Sequence, residues 1–143
     1  MSEREILFRG QTRRKGEKVR ISGEPVDSNW VYGGIFPGEG DFSIIYQTKP
    51  KIEKFTVYSD TVGQFTGLTD KNGTRIFEGD IVKQEFSKFR QSTNGICEFH
   101  DGSFGLKIKD LGIEKFLPFA CICNATYKVI GNIYDNPELL KGD

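Results

Sequence analysis

The stretch Thr61–Lys83, TVGQFTGLTDKNGTRIFEGDIVK, decides the fold. Asp70-Lys71-Asn72-Gly73 sets an Asn-Gly pair between runs rich in β-branched and aromatic residues, the strongest short-range signal for a β-hairpin. Gly73 takes a positive φ at no steric cost, and Asn72 tolerates the same region. Phe77-Glu78-Gly79-Asp80 predicts a second reversal at Gly79, capped by Asp80, after which Ile81 and Val82 open a new strand. Asp70, Asn72, Glu78 and Asp80 crowd oxygen ligands into a short span, yet a calcium loop needs glycine sixth and glutamate twelfth. Counted from Asp70 they fall fourth and ninth, so the four residues read as turn chemistry.

The turn pattern continues on both sides. Gly95–His100 and Ser103–Ile108 flank Asp101-Gly102, which suits a two-residue type I′ loop. In that register Phe99 faces Phe104, Cys97 faces Leu106, and Ile108 continues the same side. Upstream, Glu5–Phe8 reads as a first strand and Gly10–Ser28 as a loop or solvated hairpin. Trp30–Phe36 and Ser43–Gln47 read as strands around the turn formers Pro37-Gly38-Glu39-Gly40-Asp41, with Phe55–Tyr58 as a further strand. Tyr127–Ile133 reads as the last strand, leading into Asn136 as N-cap and Pro137 as first residue of a short closing turn.

Composition agrees with a chain of short strands and tight turns. Twelve Phe, five Tyr, one Trp and 17 Gly accompany no long helical periodicity. The 143 residues suffice for one domain or two small subdomains, and a boundary is expected near Ser59–Gly63, giving 1–63 and 64–143. Twenty basic and twenty acidic side chains cancel, so global charge predicts attraction neither to nucleic acid nor to an anionic membrane. No apolar run approaches a membrane span, and Ser2-Glu3-Arg4-Glu5 is unlike a signal peptide. A cytoplasmic protein with reduced thiols is expected.

Several stretches then resemble a known family. QFTGLTDKNGTRIFEGDIV is similar to the central motif of the YopX-like proteins, small proteins of phages and prophages. Phe8-Arg9-Gly10 and Asn29-Trp30-Val31-Tyr32-Gly33 resemble their amino-terminal FRG and WVYG elements, and Val129–Leu140 resembles their closing VIGNIYENPELL. Glu85–Lys128 matches only loosely, and Gly10–Asn29 is longer and more basic. The resemblance implies a mainly β protein, with a small SH3-like barrel in the carboxy-terminal part after an amino-terminal β subdomain. It supplies no activity and no catalytic residues.

Candidate chemistry is sparse. Cys97, His100, Cys121 and Cys123 offer four zinc ligands, but a one-residue gap between Cys121 and Cys123 suits a strand better than a zinc knuckle. The hairpin register also puts Cys97 and His100 on opposite faces, which separates sulfur from imidazole for nucleophilic catalysis. No nucleophile elbow accompanies the single histidine. The glycines of Gly33–Gly40 lack the helix and the lysine-serine pair of a phosphate loop. No catalytic residue, metal, cofactor or small-molecule substrate is therefore expected.

What remains is surface. Arg9–Arg20 holds six cations against one anion, so Arg13, Arg14, Lys15, Lys18 and Arg20 are candidates for contact with a nucleic-acid backbone. Lys83, Lys88 and Arg90, interleaved with Phe86 and Phe89, form a second patch. The favoured reading is a non-enzymatic module that binds a protein partner or another copy of itself, since small β domains leave strand edges exposed. A nucleic-acid-binding accessory protein is the alternative.

Overall fold

The computed structural model describes residues 5–17, 29–86, 91–110, 112–121 and 125–140. Eleven strands and three short 3-10 turns make up the regular structure among these residues. They divide into two compact units, Met1–Phe65 and Thr66–Asp143.

The first unit is an antiparallel sheet in the order β4-β3-β2-β1, built from β1 (Phe8–Arg13), β2 (Asn29–Pro37), β3 (Phe42–Gln47) and β4 (Glu53–Tyr58). The opening residues of β5 (Gly63–Thr69) pair along the far side of β1, with Phe8 opposite Gln64 and Arg9 opposite Gly63. Beyond Arg9 that side is closed differently. The N–H of Gln11 donates to Thr61 Oγ1 at 2.9 Å, and the Thr61 hydroxyl donates to the carbonyl of Tyr58 at 2.6 Å. Thr61 thus satisfies a backbone donor that no strand reaches, which is why a residue between two strands is fully buried.

Alternation separates the two faces of this sheet. Val31, Ile45 and Val57 point inward and form the core with Phe8, Ile35, Phe55 and Val62. Gly10 lets β1 close over them, because a Cβ there would lie 2.8 Å from Val57 Cγ2. The first strand begins where the sequence predicts it to end: β1 runs Phe8–Arg13, so Glu5–Leu7 of the expected Glu5–Phe8 strand lie outside it, and Gly10–Arg13 are strand in place of the expected loop or solvated hairpin. The polar composition of that stretch was misleading: Arg9 and Gln11 are buried in it, Arg9 with its guanidinium 4.6 Å from the Trp30 ring.

In the second unit, the later residues of β5 and β6 (Arg75–Phe77) form the expected hairpin. Gly73 has φ 83° and its N–H donates to the Asp70 carbonyl at 3.0 Å. A five-stranded antiparallel sheet follows in the order β10-β9-β8-β7-β11, from β7 (Asp80–Phe86), β8 (Gln91–His100), β9 (Ser103–Asp110), β10 (Ile113–Pro118) and β11 (Ala125–Asn132). The β8–β9 register puts Phe99 opposite Phe104 and Cys97 opposite Leu106. Asp101 and Gly102 have φ 49° and 82°, as a type I′ turn requires. Ile76, Val82, Cys97, Leu106 and Phe119 form the core of this unit.

The sheet is open, so the expected closed barrel is corrected. Its two edge strands meet different fates. The outer edge of β11 is taken by the Asp70 turn: Lys71 N–H donates to the Tyr127 carbonyl at 3.0 Å, and Val129 N–H donates to Asp70 Oδ2 at 2.9 Å. At the other edge lies β10, a strand absent from the sequence reading because Ile113-Glu114-Lys115-Phe116 alternates weakly. With β11 covered by a turn, the two edges are not paired into a cylinder.

One buried pair stands apart in this core. Gln84 is fully buried between Thr93 and Tyr127, and both of its amide atoms, like the Tyr127 hydroxyl, make no hydrogen bond. Burial pushes the Tyr127 phenol up, and the nearby Gln84 amide offsets this in part without reaching hydrogen-bonding geometry. Buried polar groups without partners each cost roughly 1–3 kcal/mol. Gln84→Met, which keeps the volume, is therefore expected to stabilise the protein by about 1 kcal/mol, a rise in melting temperature of about 4 °C in a thermal melt.

Candidate interaction surface

The outer face of the first unit's sheet carries the aromatic residues that the core does not use. The ladders place Gly34 opposite Tyr46 and Tyr46 opposite Lys54, then Phe36 opposite Ile44 and Ile44 opposite Thr56, then Phe42 opposite Tyr58. Tyr32 precedes Gly34 on the same side of β2. Phe36 is 53% exposed and Tyr32 and Phe42 are each 43% exposed, far beyond what a folded core leaves in water. Phe36 and Tyr46 meet edge to face at 6.0 Å, and Phe42 and Tyr58 lie 5.4 Å apart, so the rings support one another.

Two adjacent glycines shape this region in opposite ways. A Cβ on Gly33 would collide with the Tyr46 carbonyl oxygen, so β2 and β3 approach more closely there than any side chain allows. Nothing lies within 4 Å of a Cβ built on Gly34, which leaves an open gap among Tyr32, Phe36 and Tyr46.

Charges sit at the two ends of the face. Glu39 and Asp41 occupy the β2–β3 turn and are exposed; Lys49 and Lys51 occupy the β3–β4 turn, with Lys54 beside it on β4. Lys51 approaches Glu53 at 3.9 Å, whereas Glu39, Asp41, Lys49 and Lys54 make no ion pair with a described residue.

The candidate basic residues are only partly in view. Arg13 ends β1 and is exposed. Arg14 is bound in place: its Nη2 donates to both carboxylate oxygens of Asp60 at 2.9 and 3.1 Å, and its guanidinium lies 4.1 Å over the Tyr58 ring. The Asp60 hydrogen bond holds the Arg14 guanidinium above its ordinary value. Tyr58 in turn donates to Glu17 Oε1 at 2.6 Å, and that bond, with burial adding to it, pushes the phenol up. Lys15 is exposed and has an interaction of its own, while Lys18 and Arg20 lie outside the described residues. Because the Arg14–Asp60 pair is solvent-exposed, Arg14→Ala is expected to cost no more than about 1 kcal/mol in denaturant melts.

The remaining candidates belong to the second unit. Cys97 is buried against Leu106, and His100 points to the other face, with Asp101 at 3.3 Å and the Phe116 ring at 5.1 Å. No group of three or more His, Cys, Asp or Glu suited to a metal occurs among the described residues. Cys123, Lys88, Phe89 and Arg90 lie outside them, as do the side chains of Cys121 and Phe86. No helix among the described residues is long and apolar enough to cross a membrane.

The signature residues have structural duties. Asp70 Oδ1 accepts the N–H groups of Asn72 and Thr74, each at 2.9 Å, beside the Val129 bond at Oδ2. Asp80 Oδ2 accepts the Phe77 N–H at 2.7 Å across Gly79, whose φ is 90°. Gly79 is also where the Tyr134 ring comes to rest, 3.0 Å from a would-be Cβ. In the closing motif, Asn132 Oδ1 accepts from the N–H groups of Tyr134 and Asp135. Asn136 stands at the cap position expected of it, since Leu139 N–H donates to its carbonyl, but its side chain turns back to accept from Asn132 N–H.

These features define a class: an all-β protein of two antiparallel sheets, whose motif residues hold turns and whose exposed rings lie on an open sheet face. The family model described as YopX protein matches residues 38–141, and the chain belongs to that family. The elements at Phe8–Gly10 and Asn29–Gly33 precede the matched segment. The crystal structure of protein EF1440 from Enterococcus faecalis is similar over 97% of this chain and 100% of that chain, at 24% identity and a TM-score of 0.49. No curated protein matches the sequence.

Proposed function

We propose that this protein is a non-enzymatic interaction module, acting in the cytoplasm as a phage or prophage accessory protein and docking a protein partner or another copy of itself. The observation that carries the reading is the outer face of β2, β3 and β4, where Tyr32, Phe36 and Phe42 stand 43–53% exposed and Tyr32 and Phe36 border the gap at Gly34. Rings held in water at this density lose little conformational entropy on docking and bury large areas, which is why aromatic side chains anchor interfaces. The buried carboxylates, Asp70 and Asp80, are taken up by backbone N–H groups, which supports scaffolding over acid-base work. For the second unit we read the five-stranded sheet as an opened relative of the SH3-like barrel.

A photo-crosslinking amino acid introduced at Gly34 tests the reading, because the site has room for a side chain. Specific adducts from position 34, with none from a control position at Lys109 in the second unit, are the expected result. Equal labelling from both positions would refute it.

A second reading uses Arg13, Arg14, Lys15, Lys18 and Arg20 on a nucleic-acid backbone. The exposure of Arg13 favours it, although Arg14 would first have to leave Asp60. Affinity for a mixed-sequence single strand should then fall by orders of magnitude between about 50 and 200 mM salt, and neutralising Arg13 and Lys15 should flatten that slope. The protein-docking face predicts no such binding.

A further inference from the structure

Resting on the interaction-module reading, we infer that the occupant of the aromatic face is a second copy of this chain, packed on it with its strands reversed. The charges at the two ends of the face decide both points. β3 spans six residues, so the acidic turn carrying Glu39 and Asp41 and the basic turn carrying Lys49 and Lys51 stand about 17 Å apart. Lys54 extends the basic end onto the face itself.

With their strands aligned, two identical faces can meet about a twofold axis in two ways, and in each the same patch serves both copies. An axis along the strands would set acid on acid and lysine on lysine. An axis across the strands sets the basic end of each copy on the acidic end of the other, twice. Like charges brought together at an interface repel and suppress that pairing, so the end charges select the reversed arrangement. Glu39, Asp41, Lys49 and Lys54 meet the requirement because none spends its charge on a described neighbour.

The middle of the face suits the same partner. Ile44 on the central strand carries no charge, and the gap over Gly34 is open to a ring of the opposite copy. A three-stranded face is small, short of the roughly 1,200 Å² in total that stable complexes bury. The dimer is therefore weak and concentration-dependent, with dissociation in the micromolar range or above.

Sedimentation equilibrium of the full chain between about 5 and 500 µM, paired with amide NMR spectra across the same dilution, tests this. The expected result is a monomer–dimer equilibrium with concentration-dependent shifts centred on Tyr32, Phe36, Phe42 and Tyr46. Gly34→Glu, which places a charge in the gap without touching the core, should weaken association at least tenfold while leaving the melting temperature unchanged. Lys54→Glu should weaken it similarly, and combining it with Asp41→Lys should restore the wild-type constant to within about threefold, as charge complementarity requires.

A chain that stays monomeric at 500 µM would overturn the second copy as occupant and leave the face open to another protein. A dimer whose shifts fall elsewhere, indifferent to Gly34→Glu, would overturn the inference and the docking face together. A dimer lost with Gly34→Glu but not rescued by the charge exchange would overturn the reversed orientation.

Discussion

Asp70→Ala should be among the most destabilising single substitutions in the protein, costing about 3 kcal/mol or more in urea melts. The carboxylate is buried and accepts three backbone N–H groups, from Asn72, Thr74 and Val129. Removing it leaves three donors without their acceptor at a part-buried site, and it takes away one of the two bonds that tie the Asn72-Gly73 turn to the edge of β11. Asp70→Asn should cost less, because one oxygen remains to accept from the turn.

The same residue gives stability a pH dependence of known sign. Burial is the largest influence on Asp70 and raises its affinity for the proton, but the N–H groups of Val129, Thr74 and Asn72, with the charge of Lys128, outweigh it and hold the carboxyl below its ordinary value. A folded pKa below the unfolded one means that the unfolded chain binds the proton more readily. The stabilisation is thus complete above about pH 5 and is lost as pH falls past the unfolded value of about 3.9 and through the lower folded one. Urea midpoints measured from pH 7 to pH 3 should decline in the wild type, and the part of the slope due to this residue should be missing in Asp70→Asn.

The second large effect is expected at Gly33. A side chain there meets the Tyr46 carbonyl, a backbone atom that cannot turn away, so β2 and β3 must separate. Gly33→Ala is expected to cost about 3 kcal/mol, the upper range for overpacking, and to disturb the outer face by displacing Tyr46. Its neighbour supplies the control. Gly34→Ala enters open space at an ordinary backbone angle and should change stability by no more than about 0.5 kcal/mol. Thermal melts of the two variants, alike in sequence and opposite in outcome, would separate close approach from glycine content.

The features legible in the sequence were those that local chemistry decides. Asn72-Gly73, Gly79-Asp80 and Asp101-Gly102 carry their turn geometry in the residues themselves, and the two-residue loop transmits a register, so Cys97 meets Leu106 as expected. The true position of β1 was hidden because Arg9 and Gln11 are polar, and only a residue fifty positions away, Thr61, explains how Gln11 can be buried. The exposed face was hidden for the converse reason. In Phe42-Ser43-Ile44-Ile45-Tyr46 both sides of the strand carry large apolar groups, so alternation marks two faces without saying which one meets water. The open sheet was out of reach because closure depends on which edge a distant turn comes to cover.

Asp70, Gly79, Asp80, Asn132 and Asn136, in the stretches by which the chain is recognised, all hold backbone, whereas the exposed rings of Phe36 and Phe42 lie outside those stretches, on β2 and β3. Sorting relatives by the turn residues would group them by architecture regardless of what they bind. If the docking face proposed above is right, sorting them by the residues equivalent to Gly34, Phe36, Phe42, Tyr46 and Lys54 would instead divide the family by recognition, and proteins sharing one scaffold would fall into separate incompatible types.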